Sequence, residues 1–353
     1  PQNIDVTGGT VNINTTGNIG FDISSRAPFW DLNIGKASAG TGAVRIAPIT
    51  WSYSGSAANQ VTLPAYPLTI LSNLNIVTSA LSGSLNANGN DVICSGNFNI
   101  QSGGTYTSGA NTTMFNGTSN QTFTVSGSIG TGINNLSVDK SGTTLTIAGT
   151  ASSIPANGGL SILAGTLADG GKTLSFKGNV INSGFHTGSG KIQLNGSTAS
   201  QTISGNGTGE FQNLEINNTN GATGSIQVTL LDKITVNGVL NLAADRIFKI
   251  ANMQIALAST ASVTSSPGSF STNRFIQTSG YLSDGGLNKT FSAASTSFTF
   301  PFGTGTNYTP ATISFASAPS SWGSLNVRPV TARQLYVTDV NCFSYYWKVN
   351  QTG

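Results

Sequence analysis

Twelve acids and a single histidine, His186, are the side chains of this 353-residue chain best suited to move protons near neutrality. A glycosidase needs two carboxylates about 5–9 Å apart across the scissile bond. The acids here are almost all solitary. Glu210 and Glu215 are the nearest pair of glutamates, with apolar residues of one strand approach between them. Asp169 and Asp245 fall 76 residues apart, at similar corners of successive units. Both sets read as solvated turn acids. A lone histidine excludes a multi-histidine zinc site, and in "GFHTGSG" it reads as an exposed turn residue. "LADGGKTL" (167–174) and "LSDGGLNKT" (282–290) share Asp-Gly-Gly, but neither repeats as a calcium nonapeptide does. They read as hairpin turns. "GTGTNY" (303–308) lacks the lysine and helix of a phosphate loop. Cys94 and Cys342 match no metal spacing and read as two unpaired thiols. No catalytic, cofactor or metal set is therefore expected. The residues left with a chemistry of their own are Trp51 and Tyr53, aromatics in "APITWSYSGSAANQVTLP" (47–64) that could stack on sugar rings.

Gly, Ser, Thr and Asn supply close to half of the residues, and all rank low in helix propensity. Only 8% of residues are charged, the net charge is +3, and no basic cluster marks a nucleic-acid partner. No apolar run approaches the roughly 20 residues of a membrane span. The chain opens at Pro1 without a methionine, as a trimmed piece of a larger protein would.

The elements that must position any site are short strands. Trp30-Asp31-Leu32-Asn33-Ile34, Asn73-Leu74-Asn75-Ile76 and Asn135-Leu136-Ser137-Val138 share an apolar–polar–apolar phrase. So do Gly159-Leu160-Ser161-Ile162, Asn213-Leu214-Glu215-Ile216 and Val239-Leu240-Asn241-Leu242. Longer stretches also repeat. "MFNGTSNQTFTVSG" (114–127) aligns with "QLNGSTASQTISG" (193–205), and "INNLSV" (133–138) with "FQNLEI" (211–216). The offsets are 82 at Gly96/Gly178, 80 at Gln121/Gln201 and 78 at Leu136/Leu214, and Leu74, Leu160 and Leu240 extend the series. Strands this short must stack on copies of themselves. The pattern predicts an all-β chain, a parallel β-solenoid built from units of about 80 residues, each dividing into about four coils of roughly 20. Asn and Thr at the corners are expected to form hydrogen-bonded ladders. A string of β-sandwich domains is the rival fold.

The domains read as follows. Residues 1–66 are N-terminal coils with an insertion near 47–64, and 67–265 are solenoid repeats. Residues 266–340, richer in aromatics and longer in alternation, form a small antiparallel module that caps the open end. Residues 341–353, "NCFSYYWKVNQTG", read as the start of a further β domain.

"SNLNI…GNDVICSGNFNIQSGGTYTSG…INNLSV" and "TNRFIQTSGYL…TSFTFPFGTGTNYTPATISF" resemble the repeats of very large secreted surface proteins of Bacteroidota. The resemblance covers roughly residues 67–350. It implies export by the type IX secretion system and an extracellular, cell-surface place as an adhesin stalk, gliding filament or appendage. The implied partners are other copies or other domains of the same large protein. The family offers no shared catalytic motif to carry over. The expectation is thus a structural segment without catalysis. A glycan-binding adhesin module using Trp51 and Tyr53 is the second reading, and a β-helix polysaccharide lyase or hydrolase the third.

Overall fold

Alternation with a period of two puts the apolar residues of each short strand on one face, and only a neighbouring strand in register can cover them. The computed structural model describes residues 6–52, 60–76, 83–293, 297–338 and 341–352. Among these it is all-β with no helix, and parallel strands stack as a β-solenoid. The chain divides into two compact units, residues 1–174 and 175–353.

In the first unit each coil carries up to three strands, which stack into three rows. One row holds Thr10–Thr15, Asp31–Lys36, Leu74–Ile76, Phe98–Ile100 and Gln121–Val125. A second holds Leu68–Ile70, Val92–Cys94, Thr112–Phe115 and the starts of Asn135–Ala148 and Leu160–Ala168. The third holds Phe21–Ile23, Val44–Ile46, Ser84–Asn86 and Thr105–Thr107. The repeated phrases sit directly on one another. Leu32 and Ile34 pair with Leu74 and Ile76, and Leu136 and Val138 with Leu160 and Ile162. In the second unit Leu214 and Ile216 pair with Leu240 and Leu242.

The series through Leu74, Leu160 and Leu240 is not one column, however. Leu74 stacks with Phe98 in the first row, whereas Leu160 stacks with Leu136 in the second. Uninterrupted steps along the first row span 21, 24 and 25 residues, so 80 residues fall between three and four coils.

The core of the first unit is aromatic at its centre. Phe98, Phe115, Phe123 and Tyr106 are fully buried, and Phe98 and Phe123 stack with centroids 5.2 Å apart. Burying each such side chain is worth about 1.5–3 kcal/mol. Asn33 and Asn75 are adjacent in the stack although 42 residues separate them. The excess leaves the coil as an antiparallel hairpin, Ile49–Ser52 with Gln60–Leu63.

In the second unit parallel stacking continues past residue 265. Gly286–Thr290 lies on Gln254–Leu257, and Phe302–Thr304 on Ile276–Thr278. Small antiparallel pairings are added there. Ser297–Phe300 pairs with Ala311–Ser314. Ser324–Val330 lies between Gly286–Thr290 and Tyr346–Thr352, antiparallel to both. The closing stretch, read in sequence as opening a further domain, thus supplies a strand with seven pairs to Ser324–Val330.

Candidate functional site

Polar side chains between the apolar positions point outward, and stacking places like on like. Asn33 Nδ2 donates to Asn12 Oδ1 at 2.9 Å, Asn75 Nδ2 to Asn33 Oδ1 at 2.9 Å, and Asn99 Nδ2 to Asn75 Oδ1 at 2.8 Å. This ladder runs along strand middles. Corners carry a second kind, in which a side-chain oxygen accepts a backbone N–H of the next coil. Asp31 receives Asn73 N at 2.8 Å, Asn73 receives Asn97 N at 3.1 Å, and Asn97 receives Thr122 N at 2.8 Å. In the second unit a mixed ladder crosses five strands: Ser175, Gln193, Glu215, Asn241 and Thr264.

Glu215 is the anionic rung of that ladder. It accepts from Lys191 Nζ at 2.6 Å, Gln193 Nε2 at 2.5 Å and Asn241 Nδ2 at 3.0 Å. Burial pushes its carboxyl up, but the hydrogen bonds from Lys191, Asn241 and Gln193 and the Lys191 charge outweigh it and leave the pKa below the ordinary value.

The 80-residue repeat has a local cause in the loops around Gln121 and Gln201. Gln121 Nε2 donates to the carbonyls of Cys94 and Gly96 in the coil before, and its Oε1 receives Gly117 N at 2.8 Å. Gln201 repeats this with Phe176, Gly178 and Gly196. Glycine is required at 117, where a Cβ would overlap the Ser95 carbonyl. The following coil then closes each loop. Lys140 Nζ donates to Gly117 O, Ser119 O and Gln121 Oε1, each at 2.7 Å. Asn218 Nδ2 does so to Ala199 O and Gln201 Oε1, each at 2.9 Å.

Lys140 belongs to a set invisible in the sequence. Lys172 Nζ donates to Gly149 O and Ala151 O, and Lys289 Nζ to Ala258 O, Ser259 O and Ala261 O. All three lysines are buried and sit on the carbonyl oxygens of a turn in a preceding coil. Burial lowers the pKa of Lys140 and of Lys289 to about 8. The only signal for these residues is a lysine a few positions after an inward-facing phrase, which a solvated lysine would give as well.

The acids and the histidine are placed differently from the sequence reading. His186 is not an exposed turn residue but lies buried in the strand Phe185–Thr187, where Nδ1 receives Gln212 N at 3.3 Å. Asp169 is fully buried, with Oδ1 receiving Gly171 N at 2.7 Å, whereas Asp245 is exposed and pairs with Arg274 at 2.7 Å. Glu210 and Glu215 stand on strands of different sheets, and Glu210 accepts from Asn237 Nδ2 at 2.9 Å. Asp284 is buried too, its Oδ2 receiving Gly280 N and Tyr281 N while Oδ1 has no partner. Burial raises its pKa, against the opposing effect of those hydrogen bonds. The two Asp-Gly-Gly segments are coil corners, not hairpins: Leu160–Ala168, before the first, stacks in parallel on Asn135–Ala148, and the strands on either side of the second, Ile276–Thr278 and Gly286–Thr290, stack in parallel on Ile247–Ala251 and Gln254–Leu257. "GTGTNY" is a tight antiparallel turn, Phe302–Thr304 with Asn307–Tyr308. Cys94 is buried, its thiol pushed up to about 12 by desolvation, and both cysteines are free. Among the described residues no three His, Cys, Asp or Glu side chains group as a metal site.

Trp51 lies in the hairpin strand Ile49–Ser52, with its backbone paired to Val61. Tyr53 lies outside the described residues. The hairpin pairs with itself across Thr50 and Thr62, whose hydroxyls are 2.9 Å apart. Beside its base a cleft of about 520 Å³ opens on the first coil, lined by Val11, Ile13, Phe21, Ile23, Phe29 and Ile49 among others.

Fold and site together define a β-solenoid repeat protein whose polar side chains are largely engaged between coils. No known family model, curated protein or solved structure matches the chain.

Proposed function

We propose that the chain is a structural segment of an extracellular cell-surface filament, appendage or adhesin stalk, exported by type IX secretion and without catalysis. The observation that carries this reading is the use to which the reactive side chains are put. Glu210, Glu215, His186, Lys140, Lys172 and Lys289 are each engaged by groups of a neighbouring coil. Such residues hold a stack together, and a stalk needs that above all else. Resemblance to large secreted surface proteins supports the location. Immunogold labelling of intact, unpermeabilised cells that make the protein is the test. Gold on the cell surface and its extensions is expected, and label confined to the cytoplasm of sectioned cells rules the reading out.

A second reading, a glycan-binding adhesin module, draws on the hairpin. Its strands pair with one another, so Trp51 is not held in a row of the stack. A glycan array comparing the protein with Trp51→Ala and Tyr53→Ala decides it: equal binding by all three removes the site.

A further inference from the structure

Asparagine followed by glycine is open to attack from within the chain, because glycine has no side chain to shield its own nitrogen from the asparagine Cγ. The chain holds seven such pairs. Attack requires the glycine nitrogen to give up its hydrogen to solvent, and the fold withholds that hydrogen in five of them. Gly89 N donates to Ser108 O at 3.1 Å, Gly158 N to Asn134 O at 3.1 Å and Gly238 N to Gln212 O at 2.7 Å. Gly117 N and Gly196 N donate to Gln121 Oε1 and Gln201 Oε1, both at 2.8 Å. In the sixth pair the amide itself is held. Asn220 Nδ2 donates to Gln227 Oε1 at 2.9 Å, and Arg246 clamps the carbonyls of Asn220 and Gly221.

Asn206-Gly207 differs at each of these points. It lies in the corner between the strands Gln201–Gly205 and Glu210–Phe211, and Asn206 is exposed. Among the described residues Gly207 N donates to no acceptor. Gly207 has φ +79°, and a Cβ there would meet nothing within 4 Å, so its nitrogen stands in an open corner. The asparagine side chain is also posed for reaction. Asn206 Oδ1 receives Thr208 N at 3.0 Å and Thr208 Oγ1 at 2.6 Å. A bond to the residue two positions on folds the side chain over the intervening peptide, which brings Cγ beside Gly207 N. The two donors sit on the oxygen that becomes negative when a nucleophile adds to Cγ, and such donors stabilise a developing oxyanion.

We propose that Asn206 is a site of self-modification, with Thr208 as the residue that promotes it. Gly207 N bonds to Asn206 Cγ and releases its proton to solvent. The bond from Cγ to Nδ2 breaks, and Nδ2 leaves as ammonia. Water then adds to either carbonyl of the resulting succinimide and opens it to aspartate or isoaspartate. The chemistry needs only water and so proceeds wherever the protein resides. Each conversion adds a negative charge one residue from Gly205, whose N–H is already held by Asp232 Oδ2 at 3.0 Å. The isoaspartate product also lengthens the main chain by one carbon between two stacked strands.

The test is timed incubation of the folded 353-residue protein in mildly alkaline buffer, then acidic digestion and peptide mapping by mass spectrometry. Isoaspartate is counted by enzymatic methyl transfer to the new carboxylate. Asn206 is expected to convert about tenfold faster than the other six, the effect of one hydrogen bond to a charged oxygen. In urea, where the fold is gone, the seven rates should approach one another. Thr208→Val keeps the backbone donor at an exposed position and removes the hydroxyl. It should slow conversion about tenfold in the folded protein and leave the rate in urea unchanged. Circular dichroism checks that the variant keeps its strands. Faster conversion at any of the other six asparagines overturns the proposal, as does a preference for Asn206 that persists in urea. A folded Thr208→Val protein that converts at the wild-type rate overturns the role of Thr208.

Discussion

Asp284 carries a negative charge into a buried corner where one carboxylate oxygen has no partner. Its folded pKa lies above the ordinary 3.8, so the folded state holds the proton longer than the unfolded chain. Stability from this group is therefore fully present below the unfolded pKa and is lost as pH rises through the folded one. Asp284→Asn keeps the acceptor for Gly280 N and Tyr281 N and removes the charge. It should raise stability by about 1 kcal/mol at pH 7, a gain that fades as pH falls toward 3.8. Urea titrations at the two pH values read this directly, and a loss of stability at pH 7 would contradict it. Lys140 is the opposite case. Its ammonium is the shared donor for three oxygens of one turn. Lys140→Met leaves those oxygens orphaned and should cost about 3 kcal/mol, seen as a lower urea midpoint. An unchanged midpoint would mean that water replaces the lysine. Neither burial was legible in the sequence. A shift of one residue moves a side chain to the other face, and backbone carbonyls leave no mark in the text to announce a lysine's partner. His186 and Asp169 were misplaced for the same reason.

Elements were legible where the phrase itself dictates them. Leu-Asn-Ile at 32–34 and 74–76 has to stack because neither strand buries its face alone, and the two do pair residue for residue. What spacing could not reveal is the row. Loops of different length separate strands of one coil, so Leu74 and Leu160 share a phrase but not a sheet row. The 80-residue period reflects the Gln121 and Gln201 loops more than a whole number of coils. Leu214 tests the element scale. It lies 1% exposed between Ile192 and Leu240 in its row. Leu214→Ala should cost about 2–5 kcal/mol through the cavity it leaves. In a stack each coil contacts its neighbours only, so the damage stays local at first. Hydrogen exchange should show lost protection around residues 190–264 while the first unit keeps its own. Uniform loss across residues 175–353 would point to a single globular block instead.

At the scale of the whole molecule, stacking in register makes neighbours of residues far apart in sequence, because each coil repeats the one before. The step from Asn33 to Asn75 is the hardest case, since 42 residues and a hairpin intervene in what is a single coil step. Stacked strands lie about 4.8 Å apart, within the roughly 4.4–6.8 Å between Cα atoms that a disulfide spans. Two coil steps, about 9.6 Å, exceed it. The direct measurement is oxidation of paired cysteine variants in a Cys342→Ser background, read by intact mass and peptide mapping. Asn33→Cys with Asn75→Cys should close a disulfide readily, and Asn33→Cys with Asn99→Cys should stay reduced. Failure of the first pair to close, or closure of both alike, would contradict a solenoid built in this register.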